Sequence, residues 1–184
     1  MAQPSARHTR LMPLPYALGV LHASVLKNQT IMENFRFPEY IFEKKTIAQA
    51  LEQIEAPYAV FFSCYIWNYE YNKTLARAVK EKFPRCKIIF GGHQVPMDYL
   101  RAFREIPCAD YILIGEGERI FEDLLLFFLG QRKKEELCNT AYRDSEGQPV
   151  CRMREDYVTR CLPSPYQCGG SSSATGVNTP VRPT

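Results

Sequence analysis

The stretch from Tyr58 to Pro96, YAVFFSCYIWNYEYNKTLARAVKEKFPRCKIIFGGHQVP, decides how the chain is built. It opens on YAVFFSC (58 to 64), a continuous apolar run of the length of a strand buried on both faces. A helical pattern follows. Asn68 is placed to cap it, Tyr71, Leu75, Ala78 and Val79 share one face, and Pro84 ends it. A second apolar run, CKIIF (86 to 90), stops at Gly91 and Gly92 and is followed by His93, Gln94 and Pro96. Strand, helix and strand at this spacing form a βαβ unit with parallel strands and a right-handed crossover.

The same alternation continues on either side. MDYLRAFREI (97 to 106) reads as a short helix, and DYILIGEGE (110 to 118) as a strand meeting a glycine-rich loop. RIFEDLLLFFLG (119 to 130) is a strongly periodic helix stopped by Gly130. Upstream, PLPYALGVLHASVLKN (13 to 28) is apolar nearly all round and reads as a buried helix with Pro15 near its first turn. TIMENFRF (30 to 37) reads as a weak strand. TIAQALEQI (46 to 54) has Thr46 and Gln49 in capping-box spacing, with Ile47, Ala50, Leu51 and Ile54 on one face. Downstream, NTAYRDSEGQPVCRM (139 to 153) reads as a small hairpin around Ser145, Glu146 and Gly147. The expected fold class is α/β: a mostly parallel sheet with helices on both faces. The final residues, rich in Ser, Gly, Pro and Thr, are expected to be a disordered tail from 167 to 184.

The totals exclude several functions. A length of 184 residues suits one domain with extra segments, and a net charge of +3 is too mild to argue for nucleic acid. FEDLLLFFLG (121 to 130) is the longest apolar candidate and is too short to span a membrane. The start has no apolar core of signal-peptide length. The seven cysteines, at 64, 86, 108, 138, 151, 161 and 168, show no C-x-x-C and no C-x-x-x-C-x-x-C. They are expected to be reduced thiols of a cytoplasmic protein, several of them in the core.

In an open parallel sheet, ligands bind beyond the carboxyl ends of the strands. Three such ends can be read: Ser63 and Cys64 before YIWN, Gly91 and Gly92 before HQVP, and Gly115, Glu116, Gly117 and Glu118 before a helix. Each has a plain structural reading. Two glycines suit a tight turn, Gly115 and Gly117 suit a left-handed turn and a helix start, and carboxylates suit a helix N-terminus. Ser63 has no Asp/His pattern to make it a nucleophile, Cys64 no evident activating neighbour, and neither G-x-x-x-x-G-K-[ST] nor G-x-G-x-x-G is present. Glycine at two of three neighbouring ends nevertheless points to a wide surface that needs close backbone approach.

Residues 58 to 96, followed by CADYILIGEGERIFEDLL (108 to 125), resemble the amino-terminal cobalamin-binding domain of cobalamin-dependent radical SAM enzymes. PLPYALGVLHASVL (13 to 26) and LPSPY (162 to 166) resemble further segments of that family, so the likeness covers roughly residues 13 to 166. It implies a Rossmann-like sheet of flavodoxin-type order, with a corrin lying across the strand ends. It also implies cofactor contacts from Ser63, Cys64, Tyr65, Trp67, Gly91, Gly92, His93, Gln94, Gly115, Glu116 and Gly117. Ser63 would donate to the nucleotide tail and Trp67 would cover a ring edge. Cobalt is held by the corrin nitrogens, so no protein metal ligand is required. Replacing Gly92 by Val is expected to abolish corrinoid binding with a modest effect on folding.

Many cobalamin domains carry D-x-H-x-x-G. The nearest stretch here, SARHTRL (5 to 11), has Ala6 and Leu11 at the Asp and Gly positions, so His8 is not expected to ligate cobalt. The first, central strand of that fold has no counterpart in the unpatterned residues 1 to 12, which would leave a gap in the sheet. The resemblance therefore implies a cobalamin-binding unit over 13 to 133 and a hairpin and linker over 134 to 166. The linker would lead toward a catalytic domain missing from this chain. SAM and an iron–sulfur cluster belong to that missing domain, and this truncated module is not expected to catalyse methyl transfer or related radical chemistry alone. Two alternatives stay open: a flavodoxin-like or nucleotide-binding module for another small ligand, and a non-functional fragment.

Overall fold

A computed structural model describes residues 16 to 43 and 45 to 155. The elements are α1 (Tyr16–Val25), α2 (Gln29–Asn34), α3 (Ile47–Glu52), β1 (Ala59–Ser63), α4 (Tyr69–Lys82), β2 (Lys87–Gly91), α5 (Tyr99–Glu105), β3 (Tyr111–Leu113), α6 (Gly117–Phe128), β4 (Thr140–Arg143) and β5 (Pro149–Val150). The sheet runs β1-β2-β3-β4-β5. Its first three strands are parallel, while β4 and β5 are each antiparallel to the preceding strand.

The period of two along each parallel strand builds two cores. Val60, Phe62, Ile88, Phe90, Ile112 and Ile114 point to one face, where they meet Ala50 of α3, Leu75, Ala76 and Val79 of α4, and Ala102 and Phe103 of α5. Phe61, Ile89, Tyr111 and Leu113 point to the other, against Leu18, Leu21 and Val25 of α1, Ile31 of α2, and Ile120, Phe121 and Leu124 of α6. Phe62 and Phe90 stack at 4.9 Å between ring centroids with an interplanar angle of 20°, at the middle of the first core. Each is fully buried, which is worth about 1.5–3 kcal/mol per side chain.

The βαβ reading holds along the whole chain from β1 to α6, and the Thr46–Gln49 capping box forms as the spacing requires. Gly130 takes φ +73° just past α6, and Gly147 takes φ +80° in the β4–β5 hairpin. Three expectations change. Residues 30 to 37 are not a strand. Asn28 Oδ1 accepts from the Ile31 amide at 3.3 Å, and that cap turns Gln29–Asn34 into helix with Ile31 as its buried anchor. Asn68 precedes α4 but makes no side-chain cap to it. Among the described residues the sheet has no gap, and β1 is its end strand. The readings for residues 1 to 12, for Pro13 to Pro15, for Cys161 and Cys168, and for 162 to 184 lie outside the described residues.

The hairpin adds a further feature. β4 begins opposite the end of β3, with Thr140 beside Leu113, so its chain runs away from the strand ends. β5 brings it back. The chain therefore returns to the carboxyl end of the sheet at residues 152 to 154, beside Cys138 and Asn139.

Candidate functional site

Because β1, β2 and β3 are parallel, their carboxyl ends share one edge, and the loops after Ser63, Gly91 and Leu113 lie side by side. The first two loops are knit together by backbone. The Cys64 amide donates to Gly91 O at 2.7 Å, the Gln94 amide to Cys64 O at 3.1 Å, and the Val95 amide to Gly92 O at 3.1 Å. Asn68 turns back into this corner. Its Oδ1 accepts from the Tyr65 amide at 2.7 Å and its Nδ2 donates to Ser63 O at 3.0 Å. Asn72, fully buried one turn further along α4, donates to the same Ser63 carbonyl at 3.2 Å and reaches Cys64 Sγ at 3.4 Å. Two buried asparagines thus fix where β1 ends, and no local sequence pattern marked Asn72 for this work.

The anchored corner carries a stacked aromatic pair. Tyr65 and Trp67 stack with ring centroids 4.8 Å apart and an interplanar angle of 2°, and His93 stands 5.9 Å from the Tyr65 ring. Trp67 is half exposed, and Ile66, the residue before it, is more so. Burial pushes the Tyr65 phenol up, against the Ser63 hydroxyl, which acts in the opposite direction.

The eleven residues expected here divide by position. Ser63, Cys64 and Gly91 are buried at the strand ends. Burial raises the Cys64 thiol to about 12, with the Asn72 hydrogen bond opposing, so it is neither a thiolate nor a nucleophile at neutral pH. Tyr65 and Gly117 are half-buried, while Trp67, Gly92, His93, Gln94, Gly115 and Glu116 are exposed.

The glycines serve different ends. A Cβ on Gly91 would meet Phe61 and Leu113, side chains of the sheet face and not of the edge. A Cβ on Gly92, which has φ +103°, would stand 2.6 Å from Cys64 O and 2.7 Å from Cys64 N. Gly92 is therefore demanded by the chain itself, and the expectation that a side chain there would spare the fold is overturned. At Gly117 an added Cβ would stand 2.9 Å from Leu21 Cδ2, the movable end of a side chain of α1. Gly115, with φ +92°, faces open space, with no atom within 4 Å of an added Cβ. It is the bare part of the ledge.

A family model for the B12-binding domain matches residues 20 to 125, from α1 to α6. The chain belongs to the B12-binding domain family, and its cofactor is cobalamin. It is 30% identical over 112 residues to the cobalamin-dependent radical SAM methyltransferase TokK of Streptomyces tokunonensis, covering 61% of this chain and 16% of that protein. It is also 30% identical over 113 residues to the 2-(S-pantetheinyl)-carbapenam-3-carboxylate methyltransferase of Streptantibioticus cattleyicolor, covering 61% of this chain and 17% of that protein. In fold it is similar to OxsB, solved with aqua-cobalamin and S-adenosylmethionine bound, at TM-score 0.66 and 17% identity, covering 94% of this chain and 24% of that one. It is similar too to TsrM of Kitasatospora setae, at TM-score 0.59 and 15% identity, covering 84% of this chain and 30% of that one. The chain thus spans about a sixth of the length of the two methyltransferases it matches. It is a cobalamin-binding domain resembling those of cobalamin-dependent radical SAM methyltransferases.

The residues present fit such a cofactor. A corrin is broad and flat with amides at its rim. The edge offers the stacked Tyr65–Trp67 pair and the open corner at Gly115. Among the described residues no helix is long and apolar enough to cross a membrane.

Proposed function

We propose that this edge seats cobalamin, with the corrin lying across Gly115 to Gly117 and the Gly92–Gln94 turn, and with Trp67 and Tyr65 against its rim. The observation that carries the reading is Gly115: a positive-φ glycine with open space in front of it, on the same edge as the stacked Tyr65–Trp67 pair, whose Trp67 is half exposed. In this reading Trp67 covers a ring edge. Gln94 and Glu116 face the rim amides, and Ser63, at the end of β1, serves the nucleotide tail. Asn68 and Asn72 act indirectly, by holding the strand end that carries Tyr65. Bound cobalamin supplies a cobalt centre able to accept and pass on a methyl group.

We further propose that the module, residues 13 to 133, works as one part of a larger methyl-transferring radical SAM enzyme. The segment from 134 to 166 would lead toward the domain that holds SAM and an iron–sulfur cluster. Support comes from the two methyltransferase relatives, each several times longer than this chain. The five described cysteines are free thiols, which suits a cytoplasmic protein.

Trp67 is the only tryptophan, so its emission reports on this edge alone. Titration with aquocobalamin is expected to quench it in step with a shift in the corrinoid absorbance, and to raise the melting temperature in a ligand-dependent way. Trp67→Ala is expected to weaken binding by about tenfold, in the range of one lost aromatic contact. Unquenched Trp67 emission at saturating aquocobalamin would remove the cofactor from this edge.

A further inference from the structure

One polar side chain at this edge belongs to none of the three loops. Asn139 is buried, has φ +51°, and immediately precedes β4. Its Oδ1 accepts from the Arg154 amide at 2.7 Å and its Nδ2 donates to Arg154 O at 2.9 Å. Its own amide donates to Arg152 O at 2.8 Å. Its carbonyl accepts from the Ile114 amide at 2.9 Å, and Ile114 is the residue directly before Gly115. One residue thus grips the returning chain with its side chain and the end of β3 with its backbone.

The geometry assigns Asn139 as a positioning residue that couples the outgoing chain at Arg152–Arg154 to the glycine corner of the cobalamin site. The physical link is the positive φ. An L residue holds that conformation only when its surroundings fix it, and Asn is among the few types that tolerate it. Here, beside the backbone bonds to Arg152 and Ile114, the side chain adds to the fixing with two hydrogen bonds to Arg154. Without them residue 139 relaxes, its carbonyl turns, and the Ile114 amide loses its acceptor next to Gly115. The coupling is reciprocal: a cofactor that holds the Gly115 corner also holds the returning chain in register. The chain at Arg152–Arg154 is therefore held beside the cofactor edge, with its register tied to occupancy of the Gly115 corner.

The inference rests on the proposed seating of cobalamin at Gly115, and its test separates the two. Amide hydrogen exchange of the full chain is measured with and without aquocobalamin, for the parent, for Asn139→Gly, which keeps the backbone permissive and removes the grip, and for Asn139→Asp, which keeps only the acceptor for Arg154. Without ligand, Asn139→Gly is expected to speed exchange at Arg154 and at Ile114 by about tenfold, the worth of a lost hydrogen bond, while Phe90 in the middle of the sheet is unchanged. Asn139→Asp falls between. In the parent, aquocobalamin slows exchange at Ile114 and at Arg154 together, and Asn139→Gly binds it about tenfold more weakly. Faster exchange at Arg154 with Ile114 and affinity as in the parent overturns the coupling. If the parent fails to bind aquocobalamin, the seating at Gly115 is what fails, and an unchanged Ile114 rate in unliganded Asn139→Gly still overturns the link. If Asn139→Gly loses protection at Phe90, the comparison is read from Asn139→Asp, where an Ile114 rate equal to the parent's overturns it.

Discussion

Gly92 and Gly115 close neighbouring strands at the same edge, and both take a positive φ, +103° and +92°. They are glycines for opposite reasons. In front of Gly92 stands the backbone of Cys64, 2.6 Å from where a Cβ would be, so the molecule itself fills the space. In front of Gly115 there is nothing within 4 Å. The loop after β2 rests on the α3–α4–α5 face through Cys64 and Val95, whereas the loop after β3 reaches both faces, through Ile114 on that one and through Gly117 against Leu21 on the α1–α2–α6 face. A glycine after a strand therefore says that something approaches closely, but not whether that something is chain or ligand.

Alanine at each corner separates these meanings, and carries the largest expected difference. Gly92→Ala combines left-handed backbone strain of about 1–2 kcal/mol with an overpacking cost of about 1–3 kcal/mol against backbone that cannot move aside. Its unfolding free energy from urea titration should fall by the sum, about 2–5 kcal/mol, and that of Gly92→Val further still. Gly115→Ala carries only the strain, about 1–2 kcal/mol, and should remain folded while losing affinity for aquocobalamin. Equal loss of stability at the two sites would erase the distinction.

A smaller effect is expected at Asn68, which braces the first corner through the Tyr65 amide and the Ser63 carbonyl. Asn68→Ala removes two hydrogen bonds of about 1 kcal/mol each. The Ser63 carbonyl keeps Asn72 as a donor, so the loss concentrates on the Tyr65 amide and on the stacked pair it carries. The expected signature is a modest drop in the unfolding free energy from urea titration, about 1–2 kcal/mol, together with Trp67 emission shifted toward that of a free indole. A change in stability without any change in Trp67 emission would mean that Asn68 supports the core and not the aromatic surface.

These contrasts also mark how far the amino-acid order could be read. The strands and helices from β1 to α6 were legible because apolar runs and 3.6-residue faces repeat without interruption, and the shared edge follows from parallel strands alone. Residues 30 to 37 misled because Ile31, Phe35 and Phe37 resemble a strand, while the Asn28 side chain that caps the helix lies before the stretch. Gly92 misled because the atom it avoids belongs to Cys64, on the neighbouring strand. Asn72 and Asn139 carried no signal at all. The first acts across a fold back to Ser63, the second on Arg154, 15 positions later, and neither partnership leaves a pattern in sequence.

The mildest test acts through pH and should reach only one of the two corners. His22, on α1 next to Leu21, is held below its ordinary 6.5 by burial. A 2.8 Å hydrogen bond joins its Nδ1 to the Tyr40 hydroxyl, the Phe37 ring lies 4.6 Å away between centroids, and its buried Nε2 has no hydrogen-bond partner. A lowered value for a base means that the unfolded chain takes up the proton more readily. This contribution to stability is therefore complete above 6.5 and is lost as pH falls through the lower folded value. Acidification should loosen α1 and the start of α6 where Leu21 meets Gly117, while α4 and the Gly92 corner, on the opposite face, keep their protection. Hydrogen exchange on either side of this range reads the asymmetry directly, and His22→Gln, which cannot titrate, should flatten it. Loss of protection spread evenly over both faces would show instead that the two cores open as one unit, and that the corners differ in contact but not in stability.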